Sequence, residues 1–345
     1  MERILRTTGY EVKDLNDLKE VAPAAFSGDH NRSRVYSFVS TTQILDSLQR
    51  LGWNITYAKQ QGSSVFSRHI VRLTNPDLGY MPLKNDKVRP QLILDNSHNG
   101  GSSAQLHMGL FRLVCQSELV IAIPNLFTGI KFRHMGLNDD ELKETLNKMA
   151  EQYKVVANHI AEMQEIKLRP EQMKEFALKG AAYRDPRRYI NDDGTINEKN
   201  LRESIDAKDL LVPMRGGDNP TSLWDVFQTV REWLIKGGFN QKSEKGRNSK
   251  SKAINNAVRQ INLNKTLWVL AEEYLNKPVE AEIFNKIVAA QNSGTVIEDN
   301  GIRTYKTAKG VVKNVMIISD LDNGRTQVKD IETNSIFSVQ TDKLV

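Results

Sequence analysis

Pro90-Gln91-Leu92-Ile93-Leu94-Asp95-Asn96-Ser97-His98-Asn99-Gly100-Gly101-Ser102-Ser103-Ala104-Gln105-Leu106-His107-Met108-Gly109-Leu110-Phe111-Arg112-Leu113-Val114-Cys115 reads as a strand, a tight turn and a returning strand. Leu92, Ile93 and Leu94 form a β-prone run. His98 to Gly101 supplies the turn, because Asn-Gly tolerates the positive φ that a two-residue hairpin needs. The return strand alternates. Ala104, Leu106, Met108, Leu110, Arg112 and Val114 fall on one face, with Gln105, His107, Gly109, Phe111, Leu113 and Cys115 on the other. Toward Leu113 both faces turn apolar, so that end is expected to be buried on both sides, with helix an open alternative there.

Upstream, residues 1 to about 39 carry no strong period, and Ser27 to Ser33 is a polar loop. Ser40 with Gln43 makes a capping box for a helix bearing Ile44, Leu45, Leu48 and Leu51 on one face. Gly52 suits its C-terminal cap. Trp53–Ala58 and Phe66–Leu73 read as strands, with Gln60 to Ser64 a loop between them and Asn75-Pro76-Asp77 a breaker. Leu119–Ile123 and Lys131–His134 are further strand candidates. A helix followed by a meander of four or five strands defines an α+β class.

The run Leu94 to Gly100, then Gly109 to Cys115, then Phe132-Arg133-His134-Met135-Gly136, resembles a phage/plasmid-like protein family filed as a domain of unknown function. Its members read Asn-Ser-His-Asp-Gly, then Gly-Leu-Phe-Arg-Leu-Val-Cys-Ser-Asn-Gly-Leu, then Arg-His. Trp224-Asp225-Val226-Phe227 is similar to the family's Trp-x-x-Phe-Asn segment, so the resemblance spans roughly residues 20 to 275. The motif residues it marks are Asn96, Ser97, His98, Asn99, Gly100, Arg112, Cys115, Arg133 and His134. Asn99 stands where Asp is usual, Gln116-Ser117-Glu118 where Ser-Asn-Gly is usual, and Gln228 where Asn is usual. An enzymatic role resting on those positions is thereby in doubt. The resemblance implies association with mobile elements and names no activity.

A length of 345 residues allows two or three domains. The expected division is an α+β domain at 1–137, a helical region at 138–291 and a small β-barrel-like module at 292–345. One cysteine leaves no internal disulfide framework and no cysteine cluster for zinc. No apolar run reaches the roughly 20 residues of a membrane span, and Met1 to Arg6 lacks the apolar core of a secretory signal. A cytoplasmic setting is expected, the host's if the protein is phage-encoded.

Asn138 caps a long helix in which Leu142, Leu146, Met149, Tyr153, Val156, Ile160, Met163 and Ile166 form a heptad stripe. That stripe serves either a seam to a second copy or the chain's own core. Pro170 starts a second helix through Ala181. Ser222 with Asp225 forms another capping box, and Trp224, Phe227, Val230, Trp233 and Leu234 line that helix as core. The net charge of +6 gains meaning where it clusters. Lys236, Lys242, Lys245, Arg247, Lys250 and Lys252 lie among Gly, Ser and Asn, with Glu244 opposing. The segment 236–252 is expected to be a mobile loop, either simply solvated or neutralising phosphates without reading sequence. A helix from about Lys252 to Leu275 follows, with Ile254, Val258, Ile261, Trp268, Ala271 and Leu275 on its buried side. Ala281 to Ala290 is a further helix candidate. Beyond Gly294 some five short strands make up the C-terminal module.

Cys115 and His107 share a strand face but stand roughly 25 Å apart at strand rise, so they are not catalytic partners. No carboxylate or histidine spacing supports a metal site of His98, His107 and His134, and no cofactor is expected. The residues point first to a non-enzymatic phage or plasmid protein that binds nucleic acid, single-stranded DNA above all, in annealing or recombination. The alternatives are a protein-binding factor using the heptad helix 139–166 and the β module, and a hydrolase around Asn96, His98 and Cys115.

Overall fold

The computed structural model describes residues 10–28, 39–98 (apart from 82 and 85), 104–112, 117–120, 129–132, 139–214 (apart from 192), 220–243, 246–275, 302–306, 312–321, 325–330 and 336–340. The chain is α+β and forms two compact units, Met1–Ile297 and Glu298–Val345. The boundary expected at 137/138 falls inside the first.

Among its described residues the first unit carries a seven-stranded antiparallel sheet. Its strands are β1 (Tyr10–Glu11), β2 (Asn54–Gln61), β3 (Arg68–Thr74), β4 (Val88–Asn96), β5 (Ala104–Arg112), β6 (Ser117–Val120) and β7 (Gly129–Phe132). They pair in chain order as far as β6, and β7 joins the other half of β5's free edge. The register places Leu94 opposite Leu106 and Leu92 opposite Met108, the alternation expected of the return strand. β2 runs on through Gln61, where a loop was expected. Gln60 there is buried and accepts a hydrogen bond from the Ala24 amide (2.9 Å).

The segment before residue 39, without period in the sequence, contains α1 (Leu15–Val21) and a 3-10 turn at Pro23–Phe26. Asp14 caps α1 by accepting from the amides of Asn16 and Asp17. Helix α2 (Thr41–Arg50) starts at Ser40, whose hydroxyl accepts from the Gln43 amide as the sequence requires. It buries Ile44, Leu45 and Leu48.

One face of the sheet joins the helices in a single apolar core. Helix α3 (Asp139–Glu165) contributes Leu142, Leu146, Met149, Tyr153, Val156, Ile160 and Met163, all buried. The heptad stripe therefore lies inside its own chain and not on a seam to a second copy. Tyr153 fixes it to the sheet by donating to the Gln91 carbonyl (2.5 Å). Burial pushes that phenol far above its ordinary range. The other α-helices among the described residues of the unit are α4 (Pro170–Arg184), α5 (Pro186–Tyr189), α6 (Glu198–Ser204), α7 (Leu223–Lys236) and α8 (Ala257–Tyr274). Phe227 of α7 stacks on Trp224 (5.7 Å) and meets Phe176 and Trp268 edge-on.

Helix α8 is the central element, buried at every residue from Ile261 to Glu272. Its weak amphipathicity follows, because an enclosed helix has no solvent face to mark. Two of its polar residues are bonded to neighbouring helices. Glu272 pairs with His159 of α3 (2.8 Å), and Asn264 accepts from Arg231 of α7 (3.2 Å).

Among the described residues the second unit has a four-stranded antiparallel meander: β10 (Ile302–Lys306), β11 (Val312–Leu321), β12 (Arg325–Asp330) and β13 (Ile336–Gln340). The strand expected at Gly294–Ile297, the turn at Asp322-Asn323-Gly324 and the helix at Ala281–Ala290 lie outside the described residues.

Candidate nucleic-acid interface

The motif residues at the end of β4 build a buried network. Asn96, Ser97 and His98 are each about 2% exposed. Beneath the start of α2, Thr41 Oγ1 lies 2.8 Å from His69 Nε2 and 3.4 Å from His98 Nε2. His69 Nδ1 faces the Ser67 carbonyl at 3.0 Å, so Nδ1 carries the proton and Nε2 is the acceptor. The Thr41 hydroxyl proton goes to that acceptor, and Thr41 Oγ1 accepts from Asn96 Nδ2 (2.9 Å). The His69 and His98 rings stack with centroids 5.3 Å apart. Burial is the main cause that lowers His69 to about 4. A Thr–His–carbonyl chain has the connectivity of a nucleophile and its base, yet Thr41 is fully enclosed. The network ties α2 to β3 and β4.

The opposite face of the sheet is polar, and the end toward Leu113 that was expected to be buried on both sides lies outside the described residues. Arg68 holds Asp95 with two bonds of 2.7 Å. Arg72 lies 3.4 Å from the Tyr57 ring centroid, and burial pushes its guanidinium down to about 10. Gln91, Gln105 and His107 are buried there as well. Ile70 and Ile93 meet Val258 and Ile261 of α8, which covers this face. Arg112 reaches neither face as a free cation, because its Nε donates to Asp86 Oδ2 at 2.7 Å. Asn99, Gly100, Cys115, Arg133 and His134 lie outside the described residues. Among the described residues no group of three or more His, Cys, Asp and Glu is placed to hold a metal ion. None of their helices is long and apolar enough to cross a membrane.

The basic segment has a different form from the expected mobile loop. It is a hairpin of β8 (Asn240–Lys242) and β9 (Asn248–Lys250), with Asn240 opposite Lys250 and Lys242 opposite Asn248. Lys242 and Lys250 therefore share a face, since directly paired residues and every second residue point the same way. Its turn is closed by Ser243, whose amide donates to the Arg247 carbonyl (2.7 Å), with Gly246 at φ +71°. Every strand residue is polar, so no hydrophobic period announced it.

The hairpin's root is fixed by packing. Gly237 follows α7 at φ +72°, and a Cβ on it would lie 2.6 Å from the Lys252 carbonyl carbon. Gly238 donates to the Ser251 carbonyl, and Ser251 to that of Phe239, at 2.9 Å each. Arg184 donates from Nε to the Leu234 carbonyl (2.7 Å), and its guanidinium also bonds the Lys252 carbonyl. Asn240 Nδ2 donates to Asp209 (2.6 Å). The outcome is a platform held at its root, on which Lys242, Arg247, Lys250 and Lys252 are all exposed. Lys236 differs, because it pairs with Glu232 one turn earlier on α7. Lys245 lies outside the described residues.

Sequence spacing missed the neighbours of this platform. Lys174, Arg202 and Lys208 come from α4, α6 and the 3-10 turn Ala207–Leu210, and they share a cleft with Lys242. Each sits alone among ordinary surface residues in its own segment, so only tertiary proximity could collect them.

With its antiparallel sheet, central helix and buried Asn-Ser-His network, the chain belongs to the family described as domain of unknown function DUF932, which matches residues 30–268. Its relatives include the UPF0380 protein YafZ of Escherichia coli (strain K12), 31% identical over 268 residues, covering 76% of this chain and 91% of YafZ. The UPF0380 protein YfjQ of the same organism is 30% identical over 268 residues, with the same shares. No solved structure matches the chain.

Proposed function

We propose that this protein binds nucleic acid, single-stranded DNA above all, through the cationic hairpin Asn240–Lys250. The observation that carries the reading is the fixed presentation of four exposed cations, Lys242, Arg247, Lys250 and Lys252, on a clamped hairpin. A mobile lysine tract must be ordered on binding, and that costs conformational entropy. A pre-ordered hairpin avoids much of this cost. Its contacts are to phosphates, which set position and affinity without reading bases. In its finer form the reading is single-strand annealing in phage or plasmid recombination, motivated by the family resemblance of the motif residues. The buried network around His98 gives no support to hydrolysis, because a residue about 2% exposed offers no route for substrate.

The test is a titration of labelled single- and double-stranded DNA across several salt concentrations. Four phosphate contacts on a single strand give a log–log salt slope of about −3. Substituting Lys242→Glu and Lys250→Glu together should weaken binding and flatten that slope by about 1.4. Absence of binding at low salt, or binding that salt leaves unchanged, overturns the reading.

A further inference from the structure

The cleft beside the hairpin adds a recess to this projecting surface. Its volume is about 590 Å³, within the range of pockets that enclose a small ligand. Strand β8 forms one wall, and residues of α4, α6 and the 3-10 turn Ala207–Leu210 form the other. Lys174, Arg202, Lys208 and Lys242 line it, against the acids Glu203 and Asp206. All four cations are exposed at the cleft surface. Asp206 is engaged locally, its carboxylate accepting from the Lys208 amide (2.9 Å). Arg202 is shared with Glu198 at 2.7 Å, an exposed, water-screened pair that an incoming anion can open. Gln241 and Asn248 add neutral amide groups to the lining, which can donate and accept at once.

We infer that this cleft is the seat of a phosphate-bearing segment of a single strand, continuing the path that begins on the hairpin; the inference rests on the nucleic-acid reading above. Lys242 belongs to both surfaces and joins them. The strand form follows from shape. Duplex DNA is stiff over about 150 base pairs, so it presents a convex cylinder to a site of this size and touches projecting residues only. A single strand bends, and its phosphates can enter a recess. The cleft is therefore the part of the surface that separates single strand from duplex.

The experiment compares three full-length proteins by fluorescence anisotropy, using a labelled homothymidine strand and a labelled duplex of equal length. They are the wild type, a hairpin variant (Arg247→Glu with Lys250→Glu) and a cleft variant (Lys174→Glu with Lys208→Glu). Lys174 and Lys208 are exposed, and circular dichroism with a melting curve confirms that the variants fold. If the double reversal disturbs folding, Lys174→Gln with Lys208→Gln replaces it. The expected result is a roughly tenfold loss of single-strand affinity in the cleft variant, a salt slope flatter by about 1.4, and unchanged duplex affinity. Wild-type single-strand affinity in the cleft variant, with binding lost in the hairpin variant, overturns the cleft and leaves the nucleic-acid reading standing. Equal losses on strand and duplex also overturn it, because the lysines then act only through the general field. No binding of either DNA by the wild type overturns both.

Discussion

Arg112 and Trp224 donate to the same carboxylate oxygen, Asp86 Oδ2, at 2.7 and 2.8 Å. Arg112 lies within the motif stretch from Gly109 to Cys115, and Trp224 opens the stretch that ends at Phe227. Two of the segments that carry the resemblance therefore meet on one buried acid that neither contains. The Asp86 side chain is 3% exposed, and that of Arg112 is 12% exposed. Replacing Asp86 with Ala takes an acceptor from a cation and an indole at once. Unfolding in denaturant should show a loss of about 3–5 kcal/mol, the range for a broken buried ion pair. Asp86→Asn keeps one acceptor oxygen and should lose less. A cost under about 1 kcal/mol for Asp86→Ala would mean that the shared carboxylate is not a structural tie.

Thr41 is predicted to be the keystone of the Asn96–His98 network. Thr41→Val preserves shape and removes the one hydroxyl that His69 and Asn96 both use. The expected cost is about 1–3 kcal/mol by chemical denaturation, with Thr41→Ser close to wild type. Equal stability of the Val and Ser variants would refute the role of the hydroxyl.

His69 gives stability a pH dependence of defined sign. Its ordinary value is 6.5, and burial lowers it to about 4 in the fold. Above 6.5 it is neutral in both states and contributes no slope. Below 6.5 the unfolded chain takes up a proton that the folded chain refuses, so stability falls as pH drops toward 4 and then levels. The full effect is on the order of 3 kcal/mol. Melting curves of wild type and His69→Gln across this window should differ in slope, the variant's being flatter; parallel curves would contradict the assignment.

The Arg68–Asp95 pair should respond unequally to loss of its members. Asp95 has no exposed side-chain surface, and Arg68 retains 19%. Arg68→Ala leaves a carboxylate buried without its cation, at a cost of about 3–5 kcal/mol. Asp95→Asn leaves a guanidinium that can still reach water and should cost clearly less. The reverse order, measured by equilibrium unfolding, would contradict this account.

Gly237 and Gly238 separate backbone clash from backbone strain. An alanine at 237 meets main-chain atoms at 2.6–2.8 Å, and one at 238 meets only the Trp233 ring at 3.6 Å. Both sit at positive φ, which costs roughly 1–2 kcal/mol for an alanine. Gly237→Ala should therefore cost more than Gly238→Ala, and should also weaken DNA binding by displacing the hairpin. Equal melting temperatures for the two variants would dispose of the clash.

By itself the sequence determined those features whose signal is written within one element. Ser40 with Gln43 and Ser222 with Asp225 announced two helix starts. The alternation from Ala104 to Arg112 announced a strand, and the stripe from Leu142 to Met163 announced a buried helix. The motif residues announced the family. Each is a local pattern, set by backbone geometry and the burial of one face. Tertiary structure alone decided whether the stripe faces its own core, that Asp86 gathers Arg112 and Trp224, and that Thr41 and His69 complete the network of Asn96 and His98. It also decided that the basic tract is a clamped hairpin, and it gathered Lys174, Arg202 and Lys208 beside it. The physical reason is common to all of these. Hydrophobic period reports which side of an element is dry, whereas polar contacts between distant segments leave no period in either one. A strand made entirely of polar residues shows no pattern at all until its root is fixed by the fold.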